Sequence, residues 1–132
     1  MGNSIVVDTD ILVDLLREDP YTVNWFKENL NTLEFKTTII NIFELFVGAY
    51  KSNNKEKEIK DVKDIIERFA ILDLTIKCVE EAGKQRVRLE KQGQILESRD
   101  ILIGSIAVAN NFPLKTNNKK HFSRINGLRL VD

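Results

Sequence analysis

Ser4-Ile5-Val6-Val7-Asp8-Thr9-Asp10-Ile11-Leu12-Val13-Asp14-Leu15-Leu16-Arg17 changes its period abruptly at an acid. Ile5, Val6 and Val7 form an unbroken β-branched run, the pattern of a strand buried on both faces of a parallel sheet. Ile11, Leu12, Leu15 and Leu16 then recur at helical spacing. Asp8 therefore stands at the carboxyl end of a strand, where open α/β sheets bind their ligands, or it caps the helix that follows.

The same alternation of strand and helix continues outward from this stretch. Pro20 to Asn31 reads as a helix, Glu34 to Thr38 as a strand, Ile39 to Lys51 as a helix that is apolar almost all round, and Lys55 to Phe69 as a charge-laced amphipathic helix. Ala70 to Leu74 reads as a third strand and Thr75 to Lys91 as a long polar helix. Ile95 to Arg99 reads as a connection, and Asp100 to Ala109 as a compact apolar helix whose small residues permit close packing. Phe112 to Thr116 has strand character, Asn117 to Arg124 reads as a loop, and Leu128 to Val131 as a short final strand. The pattern predicts one α/β domain over residues 1–132, three layers deep (α/β/α), with a central parallel sheet.

The chain's 132 residues suffice to bury a core without a disulfide or structural metal. Lys plus Arg equal Asp plus Glu at 20 each, so there is no global field for a polyanion, and any nucleic-acid contact must use a local patch. The single cysteine, Cys78, excludes an internal disulfide and reads as a packing residue. With only one histidine in the chain, neither a Cys/His nucleophile nor a zinc site is expected. Neither a signal peptide nor an apolar run of membrane-spanning length is visible, so a soluble cytoplasmic protein is expected.

Three acids carry the functional reading. Glu44 lies in Ile39-Ile40-Asn41-Ile42-Phe43-Glu44-Leu45-Phe46-Val47-Gly48-Ala49, with apolar neighbours on every side. An ionised carboxylate there needs a cation, a cluster of donors or a cleft, unless it faces solvent along a narrow polar edge or pairs with a lysine. Asp100 heads an apolar helix, which the helix dipole favours without any function, and Ser98 is a candidate cap. Each acid is ordinary alone. Together, a strand end, an apolar helix and a helix head form the arrangement by which distant carboxylates converge on a hard divalent cation.

Four segments, in this order and spacing, resemble the PIN-domain ribonucleases, specifically the VapC-type toxins of prokaryotic toxin-antitoxin pairs. They are Val6-Val7-Asp8-Thr9-Asp10, Phe43-Glu44-Leu45-Phe46-Val47-Gly48, Arg99-Asp100-Ile101-Leu102-Ile103-Gly104-Ser105-Ile106-Ala107, and Phe112-Pro113-Leu114-Lys115-Thr116-Asn117-Asn118-Lys119-Lys120-His121-Phe122. The resemblance implies a PIN-like fold and a metal-dependent endoribonuclease. In it Asp8, Glu44 and Asp100 are the catalytic acids and ligands of Mg²⁺ or Mn²⁺, and activated water cleaves the RNA phosphodiester to leave 5′-phosphate and 3′-hydroxyl ends. The family often carries a fourth acid after the fourth strand, where this chain has Asn118 and His121; Asn118 is the expected substitute ligand. The resemblance also implies a homodimer and an antitoxin whose carboxyl-terminal segment crosses the active-site groove.

Around that centre, Thr9 and Thr116 can position water or phosphate through their hydroxyls, or simply cap local turns. Asp10 is either a carboxylate on bound water or an ordinary first-turn acid. Arg99, Lys115, Lys119 and Lys120 are the candidate contacts to the RNA backbone. Two other readings remain at this point. Asp8-Thr9-Asp10 after an apolar strand also resembles the nucleophile motif of haloacid-dehalogenase-type phosphatases, with Asp8 attacking phosphate and Glu44 idle. The missing fourth acid suits a non-catalytic PIN-like module that only binds RNA or protein.

Overall fold

A computed structural model describes residues 3–132. The chain runs β1 (Asn3–Val7), α1 (Thr9–Leu16), α2 (Pro20–Asn29), β2 (Leu33–Thr38), α3 (Ile39–Lys51), α4 (Lys55–Arg68), β3 (Ala70–Leu72), α5 (Ile76–Lys91), α6 (Ser98–Ala109), β4 (Leu114–Lys115), α7 (Lys119–Phe122) and β5 (Leu130–Val131). All strand pairs are parallel, in the order β3-β2-β1-β4-β5, so β1 lies at the centre.

The β-branched run explains that central place. Val6 and Val7 are both fully buried, and because successive strand side chains face opposite ways they enter different cores. Val6 packs with Leu114 and with Leu89, Ile101 and Ile103 of α5 and α6. Val7 packs with Ile11, Leu12, Phe26, Ile42, Leu45, Val62 and Ile65 of α1 to α4. Helices therefore cover both faces, giving the α/β/α architecture with a central parallel sheet. On α3 the buried positions Ile42, Leu45 and Ala49 fall on one face, while Phe43 (65 % exposed), Val47 and Tyr50 point out.

Several boundaries differ from the sequence reading. β3 stops at Leu72 because Thr75 turns to cap α5, its hydroxyl accepting the Cys78 N–H. β4 is two residues long: Pro113 has no N–H to give, and Thr116 leaves the ladder to turn its hydroxyl inward. The expected loop after it contains α7, anchored by the fully buried Phe122. α6 starts at Ser98, not at Asp100, so Ser98 is a helical residue and not the cap; its hydroxyl accepts from Arg86, and Glu97 occupies the cap position. Gly104 lets α6 sit against the segment after α7, since a Cβ there would lie 3.0 Å from Ile125 Cγ1. That contact places the head of α6 beside the loop that follows β4.

Candidate active site

Asp8 closes β1 by donating its N–H to the Lys115 carbonyl at 2.9 Å, and it also caps α1 by accepting the Thr9 N–H at 2.8 Å. Asp8 is thus at once the end of a strand and the cap of a helix. Asp8 Oδ1 accepts in addition from Asn41 Nδ2 (3.0 Å), and Oδ2 accepts from the Thr116 hydroxyl (2.6 Å). One backbone and two side-chain donors thus hold this buried carboxylate in place.

Asn41 is the residue the sequence reading missed. It is fully buried and completes a capping box, accepting from the Thr38 N–H (3.2 Å) and hydroxyl (2.7 Å) while its own N–H reaches Thr38 Oγ1. Its Nδ2 is left to bridge Asp8 and Thr9 Oγ1 (2.9 Å). The signal was present in Thr38-Ile39-Ile40-Asn41, a cap residue followed three positions later by an amide.

From Asp8 the polar contacts run in a closed circuit. Thr9 Oγ1 donates to Glu44 Oε1 (2.6 Å); Glu44 Oε2 meets Arg99 Nε (2.8 Å); Arg99 Nε lies 4.0 Å from Asp100 Oδ1. Asp100 Oδ2 lies 3.8 Å from His121 Nδ1, which contacts Asn118 Nδ2 (2.9 Å); the Asn118 N–H donates to Thr116 Oγ1 (3.0 Å), and Thr116 returns to Asp8. His121 thus links the Asn118 side chain to Asp100 across the head of α6. Glu44, Asp100, Asp8, Thr9, Thr116, Asn118, His121 and Arg99, taken from remote parts of the chain, thus share one rim at the carboxyl end of β1.

The electrostatics of this rim are strained toward negative charge. Burial pushes the Glu44 carboxyl up; the Thr9 hydroxyl and Arg99 oppose that shift, and Asp8 and Asp100 add to it. Burial also raises Asp100, again against Arg99 and with Asp8. Asp10 is pushed up to about 6, by burial first and by Asp8 second. It stands outside the circuit: Oδ2 accepts the Asn117 N–H (3.0 Å), and Oδ1 is buried with no hydrogen-bond partner. Lys115 is buried, its ammonium over the Trp25 ring (4.8 Å to the centroid) and donating to the Asp132 carbonyl (2.5 Å). Lys119 pairs with Asp132 Oδ1 at 2.6 Å, and Lys120 is exposed.

This donor set suits a hard divalent cation. It is all oxygen at its acids, and three mutually repelling carboxylates face one guanidinium. Among the described residues, no group of three or more His, Cys, Asp or Glu is already drawn together as a chelate. Water-rich coordination, the habit of Mg²⁺, tolerates such spacing. Beside the rim, Thr9, Val13, Leu16, Glu44, Leu45 and Gly48 line a groove of about 570 Å³ between α1, α3 and α4.

The PIN domain family matches residues 5–128. The chain is 36 % identical over 129 residues to Ribonuclease VapC2 of Rickettsia felis, covering 95 % of this chain and 94 % of that protein. It is 28 % identical over 127 residues to the tRNA(fMet)-specific endonuclease VapC of Shigella flexneri, covering 96 % of each. A crystal structure of VapBC2 from Rickettsia felis bound to a promoter DNA fragment contains a chain that superposes with a TM-score of 0.90, at 31 % identity and 97 % coverage of both. The chain belongs to the PIN domain family, on its VapC-type branch. The phosphatase alternative falls with that assignment and with the geometry, because Glu44, idle in that reading, is bound into the circuit through Thr9 and Arg99.

Proposed function

We propose that this protein is a metal-dependent endoribonuclease and the toxin component of a type II toxin-antitoxin system, with residues 1–132 acting as one catalytic domain. The observation that carries the reading is the convergence of Asp8, Glu44 and Asp100 on one rim with Arg99 set against Glu44 and Asp100 as counter-charge. These three acids would hold Mg²⁺ or Mn²⁺, with Asn118 adjoining them in place of a fourth acid. The chemistry such an ion supplies when bound is activation of water and neutralisation of charge on the scissile phosphate.

The chain's own residues set up that chemistry. Thr9, Asn41 and Thr116 hold the Asp8 carboxylate in place; the Thr9 hydroxyl fixes one oxygen of Glu44, and α6 presents Asp100. Asp10 Oδ1, lacking a protein donor, is available to a water beside the rim. Lys119, Lys120 and Arg99 form the positive side along which an RNA backbone is drawn. Lys115 does not take part in this reading, since its ammonium is engaged at Trp25 and Asp132.

The groove between α1, α3 and α4 is where we place the antitoxin's carboxyl-terminal segment, because it opens at Thr9 and Glu44 and so blocks the acids when filled. Exposed Phe43, Val47 and Tyr50 of α3, and Ile76, Val79 and Val87 of α5, support a homodimer. No helix among the described residues is long and apolar enough to cross a membrane, and a cytoplasmic site of action fits an RNA substrate.

The end chemistry of the products tests this reading. Incubation with a mixed RNA pool and Mg²⁺ is expected to give fragments bearing 5′-phosphate and 3′-hydroxyl, the latter extendable by a poly(A) polymerase. Cyclic 2′,3′-phosphate ends would mean that the ribose hydroxyl, and not water, is the nucleophile.

A further inference from the structure

Arg99 occupies an unusual place in the rim. Its Nε sits 2.8 Å from Glu44 Oε2 and 4.0 Å from Asp100 Oδ1, and its Nη2 sits 2.9 Å from Glu97 Oε2. Among the described residues it is the one Lys or Arg side chain within 4.0 Å of Glu44 or Asp100, and half of it is exposed to solvent. The two anchors differ. Glu97 lies at the surface with 70 % of its side chain exposed, whereas only 15 % of the Glu44 side chain is exposed.

Glu44 cannot turn to serve two cations. Its Oε1 is committed to the Thr9 hydroxyl at 2.6 Å, and Thr9 is itself held by Asn41. That leaves Oε2, the oxygen Arg99 holds. A guanidinium carries only donors and a permanent charge, so it and a divalent ion repel each other across any oxygen they share.

We propose that Arg99 is the resident counter-cation of the acidic rim and competes with the divalent ion for Glu44, so that metal entry requires the guanidinium to leave Oε2. The proposal rests on the reading of Asp8, Glu44 and Asp100 as a metal site. Two features equip the side chain for the exchange: its Glu97 anchor lies outside the rim, and its exposed half has room to swing while Glu44 stays fixed by Thr9. The released guanidinium remains one residue from Asp100, within the reach of a phosphate approaching the same rim. Metal loading and the exposure of a phosphate-binding cation are then one event.

The test is calorimetric titration with Mn²⁺ of the full chain and of Arg99→Gln and Arg99→Lys, with thermal unfolding of each in EDTA. Arg99→Gln is expected to bind Mn²⁺ roughly five- to tenfold more tightly, the scale set by one partly exposed ion pair plus the loss of a repelling charge. It is also expected to unfold at a lower temperature than wild type in EDTA, since the acids lose their neutralising partner. Arg99→Lys, which keeps the charge, should return both readings toward wild type. Tighter binding confined to the glutamine variant, including binding seen only there, supports the competition. Equal or weaker Mn²⁺ binding by Arg99→Gln, an unchanged unfolding temperature in EDTA, or a lysine variant that behaves like glutamine would overturn it while leaving the metal site intact. Absence of Mn²⁺ binding in both wild type and Arg99→Gln would overturn the metal reading itself, and the competition with it.

Discussion

Thr116 donates its hydroxyl hydrogen to Asp8 Oδ2 at 2.6 Å, joining the end of β4 to the end of β1, and Thr116 Oγ1 in turn accepts the Asn118 N–H. One side chain thereby sets both Asp8 and the start of the loop that carries Asn118. Thr116→Val keeps the shape and deletes the donor and acceptor. It is expected to cost about 1–3 kcal/mol in urea unfolding, the range for stranding a buried charged acceptor. RNA cleavage should fall as well.

Asn41 is expected to matter more than its neighbours on α3. Asn41→Leu removes the capping box and leaves Asp8 and Thr9 each short of a donor. A loss of about 2–4 kcal/mol is anticipated from those two mechanisms combined. Asn41→Asp should do worse at neutral pH than at pH 4, because it sets a second carboxylate against Asp8.

Asp10 gives a pH signature. Its carboxyl titrates near 6 in the folded protein, above the ordinary 3.8, because burial and Asp8 penalise its charge. The folded state therefore holds that proton more tightly than the unfolded chain, so stability is lost as pH rises from about 4 through 6 and stays lost above. In EDTA, Asp10→Asn should be more stable than wild type at pH 7.5 by about 1 kcal/mol after discounting for solvent screening. The advantage should vanish below pH 4. A variant less stable than wild type at pH 7.5 would show that the Asn117 contact outweighs the penalty.

Lys120 and Lys115 separate RNA contact from structure. Lys120→Ala should weaken binding to a catalytically dead RNA complex and reduce the slope of log affinity against log salt by about one charge. Lys115→Met should leave both unchanged and shift only the unfolding midpoint, since its ammonium lies over Trp25.

Much of this geometry could be read from residues before any coordinates. Asp8 was visible because a strand pattern stops at it, and Glu44 because a charge stands out in an apolar helix. Asn41 stayed hidden because a buried amide in the same helix is silent until its cap partner Thr38 is seen to hold it. The role of Arg99 toward Glu44 was invisible for another reason. Its sequence context reads as a connection, whereas α6 begins before it and turns its side chain across the sheet edge to α3. Lys115 reads as part of a basic cluster because composition carries no direction; in the structure its side chain is largely buried and its ammonium reaches Trp25 and the Asp132 carbonyl. α7 escaped notice because four residues are too few to show a period, although Phe122 anchors it in the core.

Glu44→Gln distinguishes catalysis from architecture. The variant keeps a hydrogen-bond acceptor for Thr9 but loses the charge that faces Arg99. Cleavage should drop by about 100-fold or more, beyond what loss of an outer supporting contact costs a metal site. Stability in EDTA at neutral pH should hold or rise, because the carboxyl stays raised even with Arg99 opposing, so its charge is a net cost to the folded state.

The central claim is that Asp8, Glu44 and Asp100 form one metal-dependent hydrolytic centre. Its most direct measurement is the initial rate of RNA cleavage by wild type and Asp8→Asn, each in Mg²⁺ and in EDTA. Cleavage by wild type in Mg²⁺, abolished by EDTA and by the substitution, is the predicted result. Cleavage that survives both EDTA and Asp8→Asn would contradict it.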